Sequence, residues 1–211
     1  VEIENALVVV VSGTSGAGKS TLLHGLAVQL QQRGLRVETV HFDDFTSESD
    51  LPDGDIRAWL TRGALPDEWR TPALERRLIE VAGGAGSAGG GRAEVVLVEE
   101  PFGRSRTVVD RLTGFAVHLE LSLHAALARR LLRQFVPATG GLDDTSTGEL
   151  RDYLSRYLGV GVEFYEAIES AAAGSADAIL DAAKDPADLV EQVMTAVIRR
   201  LDVRQQCTLR T

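Results

Sequence analysis

The sequence predicts an α/β fold, a five-stranded parallel sheet flanked by helices on both faces. Three observations carry that expectation. Short branched apolar runs alternate with stretches of helical periodicity along most of the 211 residues, the pattern of parallel strands joined by helical crossovers. A glycine-rich turn, Gly13 to Gly18, separates the first apolar run from the first helical stretch. Aromatic residues make up only 5% of a chain that is 44% hydrophobic, so the core must be mostly Val, Leu, Ile and Ala, which suits strands covered on both faces.

Each element follows in order. Ala6 to Val11 is an unbroken apolar run, mostly β-branched, that stops at Ser12-Gly13. From Lys19 to Arg33, Leu22, Leu23, Leu26, Ala27 and Leu30 fall at helical spacing, and Gly34 suits the position just past a helix end. Leu35 to Phe42 reads as a second strand ending in the acidic turn Asp43-Asp44. Residues 46–71 are polar and broken by Pro52, Gly54 and Pro66, with a short helix expected around Ile56 to Leu60. Thr71-Pro72 supplies an N-cap and a proline at the first helical position, opening a helix through Leu74, Leu78 and Val81.

Residues 83–91 contain only Gly, Ala and Ser, too little apolar area to offset the entropy of ordering, and are expected to form a flexible loop. Glu94 to Val98 is a third strand, ending in Glu99-Glu100-Pro101. A fourth strand at Phe115 to Leu121 leads into an arginine-bearing helix, Leu123 to Phe135. A polar loop at 137–148 precedes a helix from Glu149 to about Ala172, then a fifth strand at Ala176 to Leu180. The last helix opens at Asp185-Pro186 and runs to Leu201. The expected organisation is one domain over residues 1–202, with a lid at about 129–150 and a frayed tail at 203–211.

Composition narrows the partners. A formal net charge of -9 argues against a dedicated nucleic-acid or anionic-membrane binder, whose footprint would be basic. Ala6 to Val11 is far short of the roughly 18 apolar residues that span a bilayer, and no signal-peptide pattern precedes it, so a cytoplasmic location is expected. The one cysteine, Cys207, provides neither an internal disulfide nor a thiolate metal cage. A homodimer is left open. Of the 22 basic residues only Lys19 and Lys184 are lysines, so arginine is the default cation and an ammonium at Lys19 is notable.

Gly13-Thr14-Ser15-Gly16-Ala17-Gly18-Lys19-Ser20 has the spacing of a phosphate-binding loop and stands between a buried strand and an amphipathic helix, as that mechanism requires. Its amides, with that of Thr21, would line a triphosphate at the helix N-terminus. Lys19 would bridge the β- and γ-phosphates of ATP, and the Ser20 hydroxyl would bind Mg²⁺. In a parallel sheet ligands collect at the carboxyl ends of the strands, which brings the ends of the second and third strands to this loop. Asp43 is then the candidate general base for an alcohol and a metal-supporting carboxylate. Asp44 should point the other way but could also face an acceptor. Glu99 is the better metal candidate, and Glu100 could either be solvated or line the acceptor pocket. Arg129 and Arg133, four apart on one helix face, suit a lid that brings guanidinium groups to the transferred phosphoryl. Arg130 fits a solvated face better. Trp69 or Trp59 could stack on an acceptor ring, and Arg104 could touch substrate.

Gly13 to Ser20, Phe42-Asp43-Asp44-Phe45, Val98-Glu99 and Ala128 to Arg133 resemble, in order and spacing, the uridine kinase and nicotinamide riboside kinase group of P-loop kinases. The resemblance implies a P-loop NTPase fold with a helical lid, ATP and Mg²⁺ at Lys19 and Ser20, hydroxyl activation by Asp43, metal support by Glu99, and lid roles for Arg129 and Arg133. Two departures fall at acceptor positions: Glu100 stands where the group has glycine, and Thr46-Ser47-Glu48 replaces its aromatic and basic residues. The expected activity is therefore phosphoryl transfer from ATP to a small hydroxyl acceptor, whether nucleoside, sugar or specialised metabolite. The alternatives are a nucleotide-dependent regulatory ATPase and a nucleoside monophosphate kinase. The latter needs a second phosphate-binding cluster, for which Arg57, Arg62 and Arg104 are the candidates. No guanine-reading Asn-Lys-x-Asp sequence occurs.

Overall fold

Every residue of β1 (Leu7–Ser12) is buried, because this strand lies mid-sheet with a helical layer on each face. It pairs in parallel with β3 (Val95–Glu99) on one side and β4 (Phe115–Glu120) on the other. β2 (Val37–His41) extends the sheet beyond β3, and β5 (Ala178–Asp181) beyond β4. The order is β2-β3-β1-β4-β5. A computed structural model describes residues 6–46, 55–83, 92–136 and 144–208; the expected flexible loop, apart from Gly83, and residues 137–143 of the expected lid lie outside them.

The period-two geometry of β1 divides the core. Leu7, Val9 and Val11 face α1 (Lys19–Gln32) and α8 (Pro186–Thr208), packing with Leu23, Leu26, Val193 and Val197. Val8 and Val10 face the opposite layer, with Trp59 of α2 (Ile56–Thr61), Leu74 and Leu78 of α3 (Pro72–Ala82), and Val109 of α4 (Thr107–Leu112). α5 (Leu123–Phe135) opens at Ser122, whose Oγ accepts from the Ala125 amide at 3.3 Å.

Strand ends shift from the sequence expectation by one or two residues, α4 was not expected, and two helix boundaries differ by several residues. The helix expected from Glu149 begins earlier, as α6 (Asp144–Arg156), and passes through a π-helical turn (Tyr157–Gly161) into α7 (Val162–Gly174). α8 continues to Thr208 instead of fraying after residue 202, since no Gly or Pro between Leu201 and Thr208 interrupts it. Among the described residues no helix is long and apolar enough to cross a membrane.

Candidate functional site

Because all five strands run the same way, their carboxyl ends share one edge, and the loop after β1 opens there beside β3. Two glycines of that loop admit no side chain. Gly13 has φ +136°, and a Cβ there would lie 2.6 Å from the Leu119 carbonyl oxygen; Gly16 has φ +97°, and a Cβ would lie 2.8 Å from the Ala126 carbonyl oxygen. The Ala17 amide donates back to Thr14 O at 3.0 Å, closing the turn. Gly18 caps α1 with φ 96° and no capping side chain, which leaves the first-turn amides of α1 for an anion.

Three side chains converge on Glu99 at the end of β3. Lys19 Nζ lies 3.5 Å from Glu99 Oε1 and donates to Thr14 O at 3.3 Å. Ser20 Oγ donates to Glu99 Oε2 at 2.9 Å, and His41 Nδ1 lies 3.0 Å from the same oxygen. Burial opposes ionisation of this carboxyl, but the Lys19 charge and the His41 and Ser20 hydrogen bonds outweigh it and hold Glu99 below the usual carboxylate range. The Lys19 side chain is only 10% exposed, so its ammonium acts in a partly desolvated setting.

A cavity of about 300 Å³ joins these groups to the acidic turn. Lys19, Ser20 and Glu99 line it together with Asp43, Arg133 and Trp69, as do Gly13, Thr14, Ser15, Gly16, Gly18 and Thr21 of the loop. Its remaining wall is aromatic and was not anticipated from the sequence: Phe42, Phe102 and, from α7, Phe164 and Tyr165. The scarcity of aromatic residues was the one available signal, since Phe164 and Tyr165 stand side by side on an expected helix. Trp59 is fully buried behind this wall, its ring centroid 5.8 Å from that of Trp69.

A second cavity, about 620 Å³, lies on the outer side of the loop between α5 and the segment Ala182 to Pro186. Ala17 contributes here, and Arg133 borders both cavities. Arg129 lines only this one, donating to Gly16 O at 3.3 Å and Ala182 O at 3.2 Å. Lys184, the other lysine of the chain, is also at its rim.

Three residues stand elsewhere than the sequence reading allowed, and Asp44 takes the first of its two alternatives. The acidic turn expected after β2 is a 3₁₀ turn, Phe42–Phe45, so Asp43 and Asp44 diverge by about a third of a turn; Asp44 is exposed and does not line the cavity. Glu100 is neither solvated nor in the pocket: it is fully buried, with Arg106 Nη1 3.1 Å from its Oε2. Burial pushes its carboxyl up to about 7, against the pull of the Arg106 charge. Arg104 pairs with Asp177 at 3.2 Å and donates to Thr113 O, groups that precede β5 and β4 and so sit at the opposite edge of the sheet. Arg130 is buried, not solvated; its guanidinium carbon lies 4.1 Å from the Tyr165 ring centroid and 5.2 Å from that of Tyr157, a cation–π contact between α5 and the α6–α7 helix.

The family model described as CobQ/CobB/MinD/ParA nucleotide binding domain (CbiA) matches residues 8–205. No curated protein sequence matches. Among solved structures, a candidate fructose transport system kinase from Silicibacter sp. TM1040 is 22% identical with a TM-score of 0.51, covering 83% of this chain and 90% of that one. A sugar kinase from Janibacter sp. HTCC2649 is 23% identical with a TM-score of 0.50, covering 90% and 93%. At these identities the likeness is one of fold.

Proposed function

The chain belongs to the CobQ/CobB/MinD/ParA nucleotide binding domain family, and from that premise we propose that it is an ATP-dependent small-molecule kinase, transferring the γ-phosphoryl group to an acceptor hydroxyl. The observation that carries this reading is that Asp43 lines the same cavity as Lys19, Ser20 and Arg133, with an aromatic recess beside it. A regulatory ATPase, whose acceptor is water, has no need of an aromatic recess beside its phosphate loop. The motif order that resembles the uridine kinase and nicotinamide riboside kinase group supports the same conclusion.

In this reading the loop amides and the α1 N-terminus bind the β- and γ-phosphates, and the Ala182 to Pro186 segment with Arg129 borders the space for the base. Asp43 orients the acceptor hydroxyl and takes its proton, while Lys19 and Arg133 neutralise charge on the phosphoryl oxygens. Ser20 and Glu99 present one hydroxyl and one carboxylate, hard oxygen donors of the kind that hold Mg²⁺ together with substrate phosphates, not in an all-protein cage. When bound there, Mg²⁺ supplies positive charge to the β- and γ-phosphate oxygens. A monophosphate kinase is disfavoured: Arg57 donates to Gly159 O, Arg62 pairs with Glu68 and Arg104 with Asp177, and none lines the cavity.

Asp43→Asn tests the base role. It should lower turnover about 10²- to 10⁴-fold and leave ATP affinity nearly unchanged, as read by steady-state kinetics and calorimetric titration with ATP. Unchanged turnover would remove Asp43 from that role. ATP hydrolysis with no phosphorylated product from a panel of nucleosides, sugars and aromatic alcohols would replace the kinase with the regulatory ATPase.

A further inference from the structure

Eleven aromatic residues occur in the 211-residue chain, and five of them, Phe42, Trp69, Phe102, Phe164 and Tyr165, wall one cavity of about 300 Å³. They come from four separate parts of the fold, and most touch one another. Trp69 lies 5.6 Å from Phe102 and 5.9 Å from Phe164 between ring centroids, at tilts of 48° and 45°, and Phe42 meets Phe102 edge-on at 6.5 Å. Pro101 and Ile168 complete the surface. The charged groups lining this cavity, Lys19, Asp43, Glu99 and Arg133, are those already assigned to phosphate, Mg²⁺ and the hydroxyl proton. Among the described residues, the ring-lined half adds only the Tyr165 hydroxyl and the Trp69 indole, whose N–H has no hydrogen-bond partner.

We propose that the acceptor is an alcohol carried by a short arm on a single flat aromatic or heteroaromatic ring, and not a hexose, a polyol or a nucleoside. This rests on the kinase reading above and names its substrate class. A hexose brings several further hydroxyls, each of which would leave water for a wall with almost nothing to bond it, and every unmade hydrogen bond weakens binding. A flat ring suffers no such loss and meets tilted and edge-on partners in the geometry aromatic pairs prefer. The same polarity argument weighs against a nucleoside, whose ribose hydroxyls and base carbonyl and amide groups would also leave water for that wall. The transfer itself balances simply. The arm oxygen forms a bond to the γ-phosphorus, the bond to the β,γ-bridging oxygen breaks, the hydroxyl proton goes to Asp43, and ADP leaves with the electron pair. The sugar-kinase names of the two solved structures of like fold therefore do not carry over to this pocket.

The test uses the full chain, with benzyl alcohol and 3-pyridinemethanol set against fructose, glucose, glycerol and uridine. Product formation with ATP is one readout, and tryptophan-fluorescence titration in the presence of ADP is a second that needs no chemistry. The expected result is saturable binding and phosphorylation of the aryl methanols with kcat/KM at least tenfold above every other compound. Phe164→Leu, which keeps an apolar side chain but removes the ring, should raise their KM about 3- to 10-fold with kcat and ATP affinity unchanged. A tenfold preference for a sugar, glycerol or uridine overturns the ring assignment and leaves the kinase standing. Aryl methanols that bind with ADP while no compound is phosphorylated uphold the ring pocket and overturn the kinase. An absence of both binding and product overturns both.

Discussion

Glu99 and Glu100 are adjacent in sequence and opposite in fate. Glu99 ends β3 facing the phosphate loop, where Lys19 and Ser20 reach it, while Glu100 turns beneath the sheet edge and is buried against Arg106. Strand geometry requires such neighbours to diverge, but the identity of the burying partner, Arg106, lay outside any local pattern. Glu100 has a consequence for stability. Its carboxyl is raised to about 7 from an ordinary 4.5, so the protonated form favours the folded state: the contribution is complete below about pH 4.5 and is lost as pH rises through 7. The melting temperature should therefore fall by several degrees between pH 5.5 and 8.5, and Glu100→Gln should flatten that fall. A melting temperature that declines equally in the variant would show another group to be responsible. Asp43 and Asp44 diverge for a different local reason, a 3₁₀ turn, that the acidic pair alone did not announce.

Between β1 and α1, the glycine spacing made a strand, a phosphate-binding turn and a helix legible together, since each glycine answers a backbone requirement contained in that stretch. Gly13→Ala should distort the turn, because φ is positive and the added Cβ meets the Leu119 carbonyl oxygen at 2.6 Å. The expected cost is about 1–3 kcal/mol of stability, seen in urea denaturation, with a loss of ATP affinity of at least tenfold by calorimetry. Gly18→Ala should be milder, since its φ is positive but nothing lies within 4 Å of the added atom; equal effects from the two would refute the steric argument. α5 was legible only in part. The four-residue spacing of Arg129 and Arg133 correctly put both on one helix face, and they border the second cavity. Arg130 projects elsewhere and is covered by Tyr157 and Tyr165, a burial that exists only once the α6–α7 helix packs across α5.

At the scale of the whole molecule, the order β2-β3-β1-β4-β5 brings the loop after β1, the carboxylate ending β3 and the turn after β2 to one edge. The central strands hold that edge through a core divided into two layers. Leu97, fully buried on β3 among Leu and Val side chains of the α1 layer, is a direct probe: Leu97→Ala should cost about 2–5 kcal/mol by equilibrium urea denaturation, and a loss under 1 kcal/mol would mean the layer repacks freely. The chain by itself determined what short-range periodicity can encode: alternating strands and helices, a phosphate loop in its proper context, and an acidic turn and a strand-end carboxylate bound for the same edge. Only the tertiary structure decided that Glu100 and Arg130 are buried, and that Phe42, Trp69, Phe102, Phe164 and Tyr165 share one wall. The physical reason is range. Backbone geometry and residue spacing act over a few positions, whereas the meeting of residues 42 and 164 depends on strand order and on one helix closing over another.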